Sequence, residues 1–329
     1  GFTVDEQGRK MSKSLGNVVA PQKVISTLGA DVLRLWVASS DYSGEIAISD
    51  NLLKRTADAY RRIRNTARYL LGSLSGFDPA TDSVAAEDMV AVDRWAISEA
   101  ARVQGEIKAA YADREFHRVY HTLHNYCVND LGGLYLDLLK DRLYTLPEKS
   151  VARRSAQTAL LHIAEGLVRW IAPVLSFTGD EIWRLLPGDR SASLFVQGWW
   201  SFPAVQSDDA DWAQLIVVRE AMRKELESLR TSGGIGSSLQ AEVSIAADGA
   251  VHAALQATGD ELRFWLQTSA VKLADASQGL KITAIASVHP KCDRCWHYRE
   301  DVGTHAGHET ICGRCVSNIE GPGETRRYF

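Results

Sequence analysis

The sequence has no apolar run long enough to span a bilayer and no secretory pattern of a basic stretch followed by an apolar one, so no membrane partner is expected. It also lacks an initiator Met. The chain opens Gly1-Phe2-Thr3, and a piece cut from something longer is the expectation. Basic residues are not in excess: 37 Lys and Arg stand against 41 Asp and Glu, for a formal net charge of -4. That excludes a wholesale cationic coat for nucleic acid but not a local basic patch, because polyanion binding depends on where the cations sit. Internal repeats and long low-complexity tracts are missing. Cysteine is nearly absent until the end: Cys127 stands alone, and Cys292, Cys295, Cys312 and Cys315 crowd into the last forty residues. An odd count without a framework elsewhere speaks against a disulfide scaffold and for a reducing, cytoplasmic setting and a metal. Against these absences stand 329 residues, 45% hydrophobic and 24% charged, enough for two or three domains with sizeable cores.

Residues 1–50 read as loop, helix and loop. Pro21 suits the first position of a helix, Gly29 suits its end, and Asp31 is expected to cap the next helix, in which Val32, Leu35 and Trp36 share a face. From 51 to about 187 the spacing is helical: Ala59, Ile63, Ala67, Leu70 and Leu71 recur at three and four residues, as do Leu160, Ile163, Ala164, Leu167 and Ile171. Loop signals at 76–79, 144–147 and 187–189 divide this stretch into four or five helices, an antiparallel bundle. Cys127 falls in the helical pattern as a buried small hydrophobe. A helix over 209–230 ends at Ser232-Gly233-Gly234-Ile235-Gly236. Alternation at 241–245 and a second short run at 271–274 predict strands of a small α+β unit.

The spacing Cys292-x2-Cys295-x16-Cys312-x2-Cys315 fits a structural zinc site. Each Cys-x-x-Cys turn presents two thiolates to one side of a tetrahedral ion, and Gly313-Arg314 is expected to permit the tight second turn. Four thiolates leave no open position for a catalytic water. The competing readings are a redox pair, or substitution by His289, His297, His305 or His308.

Near the start, Lys10-Met11-Ser12-Lys13-Ser14 precedes Gly16-Asn17 and a helix. Lys10 and Lys13 offer point charges, and Ser12 and Ser14 offer hydroxyls, a set suited to embracing a triphosphate and stabilising charge on leaving pyrophosphate. A solvated basic loop is the plainer alternative. Between Lys54 and Arg68 six cations accompany one anion, Asp58. Arg61, Arg64 and Arg68 share a face opposite Ile63, Ala67 and Leu70, which suits RNA phosphates better than a merely solvated face because the excess is one-sided. Trp296-His297-Tyr298 and Trp199-Trp200 offer rings for unpaired bases, although the latter pair equally suits the end of a bundle.

KMSKS at 10–14 is the second of two defining motifs of the class I aminoacyl-tRNA synthetases. The run GRKMSKSLGNVVAPQKVISTLGADVLRLWVASSDYSGEIAIS at 8–49 resembles the bacterial-type isoleucyl members of that class. The resemblance continues through Arg61-Arg62-Ile63-Arg64-Asn65-Thr66, Asp93-Arg94-Trp95 and residues 176–183, and closes with KCDRCWHYREDVG at 291–303 and ICGRCVSNI at 311–319. It implies a mainly α chain: the end of a Rossmann-type catalytic domain over 1–50, a helical anticodon-binding domain over 51–204, an α+β junction over 205–288 and a four-cysteine zinc module over 289–329. It implies ATP, with magnesium, at Lys10, Met11, Ser12, Lys13 and Ser14, with Lys13 the main contact and Lys10 assisting as the catalytic pair. It also implies one structural zinc, isoleucine and tRNA(Ile) as partners of a complete, monomeric ligase, and tRNA contacts at Arg61, Arg64, Arg68 and Trp296.

The first motif of the class, His-x-Gly-His in a strand-to-helix turn, should precede KMSKS. His305-Ala306-Gly307-His308 fits that pattern but falls between the zinc pairs, where such a turn is out of place; it is read as coincidence. The rival readings are a non-catalytic tRNA-binding module with a structural zinc, and a zinc-finger DNA glycosylase. The latter needs a catalytic N-terminal proline and has no use for KMSKS.

Overall fold

The computed structural model describes residues 1–207, 210–275 and 279–329. Its contacts divide it into two compact units. One comprises residues 1–83, 96–137 and 157–204, the other residues 84–95, 138–156 and 205–329. Residues 84–95 and 138–156, which lie in the helical stretch of the sequence, thus join the unit built mainly from 205–329.

In the first unit, β1 (Thr3–Val4) and β2 (Ile46–Ala47) pair in parallel, Thr3 opposite Ile46. A parallel pair needs a crossover, supplied here by α1 (Pro21–Leu28) and α2 (Ala30–Ser39). Pro21 opens α1 where its missing N–H would have no partner anyway, and Gly29, at φ 94°, takes the backbone into a region a Cβ disfavours. Val24, Trp36, Ile48 and Leu53 form the local core, with Met11 packed against it. Ser49 caps α3 (Asp50–Ser73) by accepting from the Leu52 N–H, and Ile63, Ala67 and Leu70 are buried along it. There follow α4 (Pro79–Asp82), α5 (Ala91–Ala112), α6 (Phe116–Asn125), a π-helical stretch Tyr126–Tyr135, α7 (Leu136–Thr145), α8 (Val151–Ile171) and α9 (Ser176–Leu185). Cys127 is buried as expected, and burial pushes its thiol up to about 12.

The widened turns of Tyr126–Tyr135 are fastened by α3. Tyr69 Oη donates to the Leu136 carbonyl at 3.2 Å, and Thr66 Oγ1, 3.1 Å from the Arg62 carbonyl of its own helix, shares its proton with the Cys127 carbonyl at 3.4 Å. No periodicity in the sequence separates this stretch from an ordinary helix.

Asp31 does not cap its own helix. It lies one residue inside α2, and its carboxylate crosses to the start of α9, accepting from Phe177 N (3.3 Å), Thr178 N (2.7 Å) and Thr178 Oγ1 (2.6 Å). The Thr178 proton being committed there, Tyr60 Oη donates to Thr178 at 2.9 Å. Leu175, in the cap position of α9, has no side chain able to do this, so Asp31 satisfies the orphan donors from afar. Asp31→Ala is expected to destabilise the protein by about 1–3 kcal/mol, the range for losing a charged cap at a buried helix start. Denaturant unfolding reads it; an unchanged midpoint would mean that water replaces the carboxylate without loss.

The second unit is centred on a buried ion pair. Arg142 donates to both oxygens of Asp93, at 2.6 and 2.7 Å, and to the Ala152 carbonyl at 3.0 Å, while Ser155 Oγ also donates to Asp93. Trp95 stacks on Trp212 at 5.4 Å. Trp212 opens α10 (Trp212–Thr231), capped by Asp211, whose carboxylate accepts from Gln214 N; the start predicted at residue 209 lies outside the described residues. Beyond it come β3 (Ala241–Ala247), α11 (Gly249–Thr258), α12 (Leu262–Leu266), β4 (Ala270–Asp275), β5 (Lys281–Ala286) and α13 (Gly313–Glu320). The sheet order is β4-β3-β5, with β3 parallel to β4 and antiparallel to β5. Side chains alternate inward along β3, and α10 and α11 pack on the sheet.

The last residues form a strap. Arg327, Tyr328 and Phe329 donate their backbone N–H groups to the Glu261 carboxylate at 2.8–2.9 Å. The carbonyls of Arg327 and Tyr328 accept from Ala91 and Val92 at the start of α5, and the Phe329 ring stacks on Trp265 at 5.2 Å.

Candidate functional site

The KMSKS loop is held by its backbone and its serines, while its two lysine side chains are exposed. Asp5 accepts from the backbone of Gln7 and Arg9, from Arg9 Nε at 2.8 Å and from Asn17 Nδ2 at 3.0 Å. The Asn17 amide first, with Arg9, holds the Asp5 carboxyl well below the ordinary carboxylate range. Asn17 Oδ1 in turn accepts from Ser12 N at 2.9 Å, so one side chain ties the two ends of the loop together. Ser12 Oγ lies 3.1 Å from Ser14 Oγ and accepts from Leu15 N. Met11 is half-buried against the cluster of Val24, Trp36, Ile48 and Leu53, which anchors the start of the motif. Lys10 sits with its ammonium 4.2 Å from the Phe2 ring centre, and Lys13 is exposed. The loop therefore presents two cations and two hydroxyls on a hydrogen-bonded frame. Asn17 was legible only as loop punctuation and Asp5 not at all, because their partnership is made by the fold.

At the other end of the chain, the four cysteine sulfurs lie within 4.8 Å of one another, all buried. Cys292 Sγ is 3.7 Å from Cys315 Sγ, and Cys295 Sγ is 3.7 Å from Cys312 Sγ. Both distances are far too long for a disulfide, at about 2.05 Å. They match the edge of a tetrahedron whose metal–sulfur distance is about 2.3 Å, namely about 3.8 Å. The donor set thus fits a closed tetrathiolate ion, and Cys312 N points at Cys292 Sγ (3.3 Å) as a further stabiliser of the thiolate.

None of the nearby histidines joins this cluster. His297 is buried with Nδ1 3.2 Å from the Cys295 carbonyl oxygen and its ring edge-on to Phe264, and burial lowers its pKa to about 4. His305 and His308 flank a tight turn with Gly307 at φ 79°, and His308 pairs with Glu320. The His-x-Gly-His match is therefore a turn inside the metal module, with no sheet beneath it. Gly313 packs against the tips of two side chains. Its φ is not left-handed; a Cβ there would stand 2.5 Å from His305 Nε2, and its N–H donates to Asp301 at 2.8 Å. Trp296 is exposed and takes a left-handed φ of 66°, a conformation usually left to glycine, with Lys291 Nζ 5.2 Å from its ring.

The arginines of α3 have separate fates. Arg61 pairs with Asp58, Arg64 makes a two-pronged pair with Glu181 at 2.7 and 2.8 Å, and Arg68 is exposed. Trp200 closes the bundle, its Nε1 donating to His162 Nδ1 at 3.2 Å; Trp199 packs on Tyr111 with part of its ring in solvent.

Comparison with known proteins follows the same order along the chain. Residues 1–49 match the family model described as tRNA synthetases class I (I, L, M and V). Residues 93–245 match the anticodon-binding domain of tRNA ligase, and residues 290–318 match the zinc finger found in FPG and IleRS. Curated relatives align over the whole chain. The isoleucine–tRNA ligases of Alkalilimnicola ehrlichii, Ectopseudomonas mendocina and Pseudomonas aeruginosa PAO1 are 56%, 57% and 55% identical to it. The chain belongs to the isoleucine–tRNA ligase family. It spans 37%, 36% and 36% of the length of those three relatives. Among solved structures, a LeuRS of Agrobacterium radiobacter K84 in a ternary complex with tRNA and LeuAMS is 23% identical, with a TM-score of 0.43 over 58% of this chain and 22% of that one. Among the described residues, no helix is long and apolar enough to cross a membrane.

Membership of this family accounts for the mainly helical architecture and for the company that KMSKS and the four cysteines keep on one chain. The motif Asp93-Arg94-Trp95, by which the sequence resembles isoleucyl ligases, is a structural hub. Its aspartate holds Arg142, its tryptophan stacks on Trp212, and Arg94 Nε donates to the Gln206 carbonyl at 3.1 Å.

Proposed function

We propose that this chain is the part of an isoleucine–tRNA ligase that closes on ATP and grips tRNA. The observation that carries the reading is the KMSKS loop, framed by Asp5 and Asn17 so that Lys13 and the Ser12 and Ser14 hydroxyls are displayed together. In the complete enzyme this loop would bind ATP with magnesium through Lys10, Met11, Ser12, Lys13 and Ser14. Lys13 and Lys10 would stabilise the charge that grows on pyrophosphate as isoleucyl-adenylate forms, and the isoleucyl group would then pass to tRNA(Ile). Arg61, Arg64 and Arg68 would meet tRNA phosphates, with the exposed Arg68 available at once and Arg64 only on leaving Glu181; Trp296 would offer a ring to an unpaired base. The tetrathiolate site would hold one structural zinc. The four-part division at residues 50, 204 and 288, a monomeric state and a cytoplasmic location belong to the same proposal.

The test is isoleucine-dependent pyrophosphate exchange by the complete enzyme. Lys13→Ala should slow it by about 10²–10³-fold, the loss expected for one transition-state charge donor. The 329-residue chain by itself should show no exchange, because its His-x-Gly-His match is a turn of the metal module. Near-normal exchange by the Lys13 variant would return the motif to the status of a solvated loop.

A further inference from the structure

The face of α3 that turns toward α6 carries Arg62, whose side chain has no hydrogen-bond or ion-pair partner among the described residues, beside two residues that hold the fold. Arg62, Thr66 and Tyr69 lie at i, i+4 and i+7 and so share one face of the helix. The Tyr69 hydroxyl donates to the Leu136 carbonyl, and the Thr66 hydroxyl, which donates to the Arg62 carbonyl of its own helix at 3.1 Å, lies 3.4 Å from the Cys127 carbonyl, which sets that face against the π-helical stretch continuing α6. Arg62 continues that face, α6 packs on α3, and the Arg62 charge is felt at His124 of α6, beside Tyr120 and His121. The Tyr120 ring stacks on His124 (5.8 Å, 27° between planes) and meets His121 edge-on at 5.1 Å. Tyr120 and His124 are half-buried, while His121 and Arg62 are exposed. Among the described residues, the polar side-chain atoms of these four have no hydrogen-bond or ion-pair partner.

This is the reverse of the neighbouring stripe, where Arg61 and Arg64 are answered by Asp58 and Glu181. The electrostatic surroundings agree. Burial first, then Arg62, then His121 lower the His124 pKa, so the imidazole stays a neutral ring in a positive neighbourhood. A stacked pair of flat rings beside an unanswered guanidinium is the arrangement that holds unpaired nucleobases. The rings take the π-faces and the cation takes the flanking phosphate.

We propose that Arg62, Tyr120, His121 and His124 form a stacking site for unpaired bases of RNA. The site rests on the tRNA-binding function proposed above and adds base contact at the α3–α6 edge to the phosphate contacts of the Arg64 stripe. Its chemistry is sequence-tolerant, since every base offers a π-face, and it needs a single-stranded loop because a paired base keeps its face covered.

The experiment uses the zinc-loaded 329-residue chain, an isoleucine-accepting tRNA transcript, and its anticodon stem–loop hairpin carrying 2-aminopurine in the loop. Wild type should bind both RNAs and quench the 2-aminopurine as the base stacks. Tyr120→Ala should weaken hairpin binding by about tenfold or more and remove the quenching, whereas Tyr120→Phe, which keeps the ring, should stay within about twofold of wild type. Arg62→Ala, an exposed change that leaves the fold alone, should flatten the slope of log affinity against log salt by about 0.7–0.9. Arg64→Ala should lose less. Binding and quenching by Tyr120→Ala and Arg62→Ala equal to wild type would overturn this site while leaving tRNA binding standing. Failure of wild type to bind either RNA at low salt would overturn both.

Discussion

Removal of metal from the four-cysteine site, by chelator or by Cys312→Ser, is expected to unfold residues 290–320 and loosen the strap at the start of α5, with the helices of the first unit unaffected. The module has almost no core of its own: among the described residues, Val302 and Ile311 are the apolar side chains packed on the buried cysteines. The free energy of binding a structural zinc, about 10–16 kcal/mol near neutral pH, is therefore most of its folding free energy. Arg314 stands between Cys312 and Cys315; its Nη2 lies 2.7 and 2.8 Å from the two oxygens of Asp141, and its Nε donates to Glu324 at 3.0 Å. Arg326, nearly all buried, meets the same Asp141 and Glu324 and lies over the Phe264 ring. Loss of the knuckle withdraws Arg314 and leaves Asp141 half-answered. Hydrogen exchange at the amides of Ala91, Val92, Arg327, Tyr328 and Phe329, followed together with metal content, reads the effect. Unchanged protection in metal-free protein would show that the strap is independent of the metal. Because the ligands must be thiolates, acidification should release metal and loosen the same amides in step.

Arg142→Ala should cost about 3–5 kcal/mol, the range for stripping one partner from a buried ion pair. The Asp93 side chain is fully buried and that of Arg142 nearly so, and the Ser155 hydroxyl, which donates to the carboxylate oxygen Oδ2, is neutral and cannot replace the guanidinium charge. The cost comes from the uncompensated charge more than from the lost attraction. Arg142→Met combined with Asp93→Leu should therefore be less destabilising than Arg142→Ala alone. Denaturant midpoints of the three proteins decide it, and a double variant worse than the single would show that the pair is a net source of stability.

What the sequence revealed of this protein was whatever its chemistry writes locally. Cys-x-x-Cys places two ligands on one turn, so the metal site could be read without knowing the fold. The buried stripe Ala59, Ile63, Ala67 and Leu70 was visible because helical geometry puts those residues on one side. The helical wheel also grouped Arg61, Arg64 and Arg68 but said nothing of what faces them. Glu181, which answers Arg64, is 117 residues away. Asp31 satisfies the start of a helix 146 residues on, where a local rule assigns it to its own. The strand Lys281–Ala286 escaped notice because it is a half-exposed edge, marked by only a weak apolar alternation in Ile282, Ala284 and Ala286. The π-helical stretch escaped because its fastening by Thr66 and Tyr69 comes from another helix.

The strap also sets an order of assembly. The amides of Ala91 and Val92 are synthesised early, and the carbonyls they bind, on Arg327 and Tyr328, come more than 230 residues later. At the usual pace of translation, about 5–20 residues per second, that start of α5 waits on the order of 10–50 s for its partners. The Asp93–Arg142 pair, only 49 residues apart, can close long before. It leaves a nascent nucleus of residues 84–95 and 138–156 with Asp141 exposed to water until Arg314 and Arg326 arrive. The second unit is thus complete only once residues 327–329 have been made, and their backbone must be free to lie between Glu261 and α5.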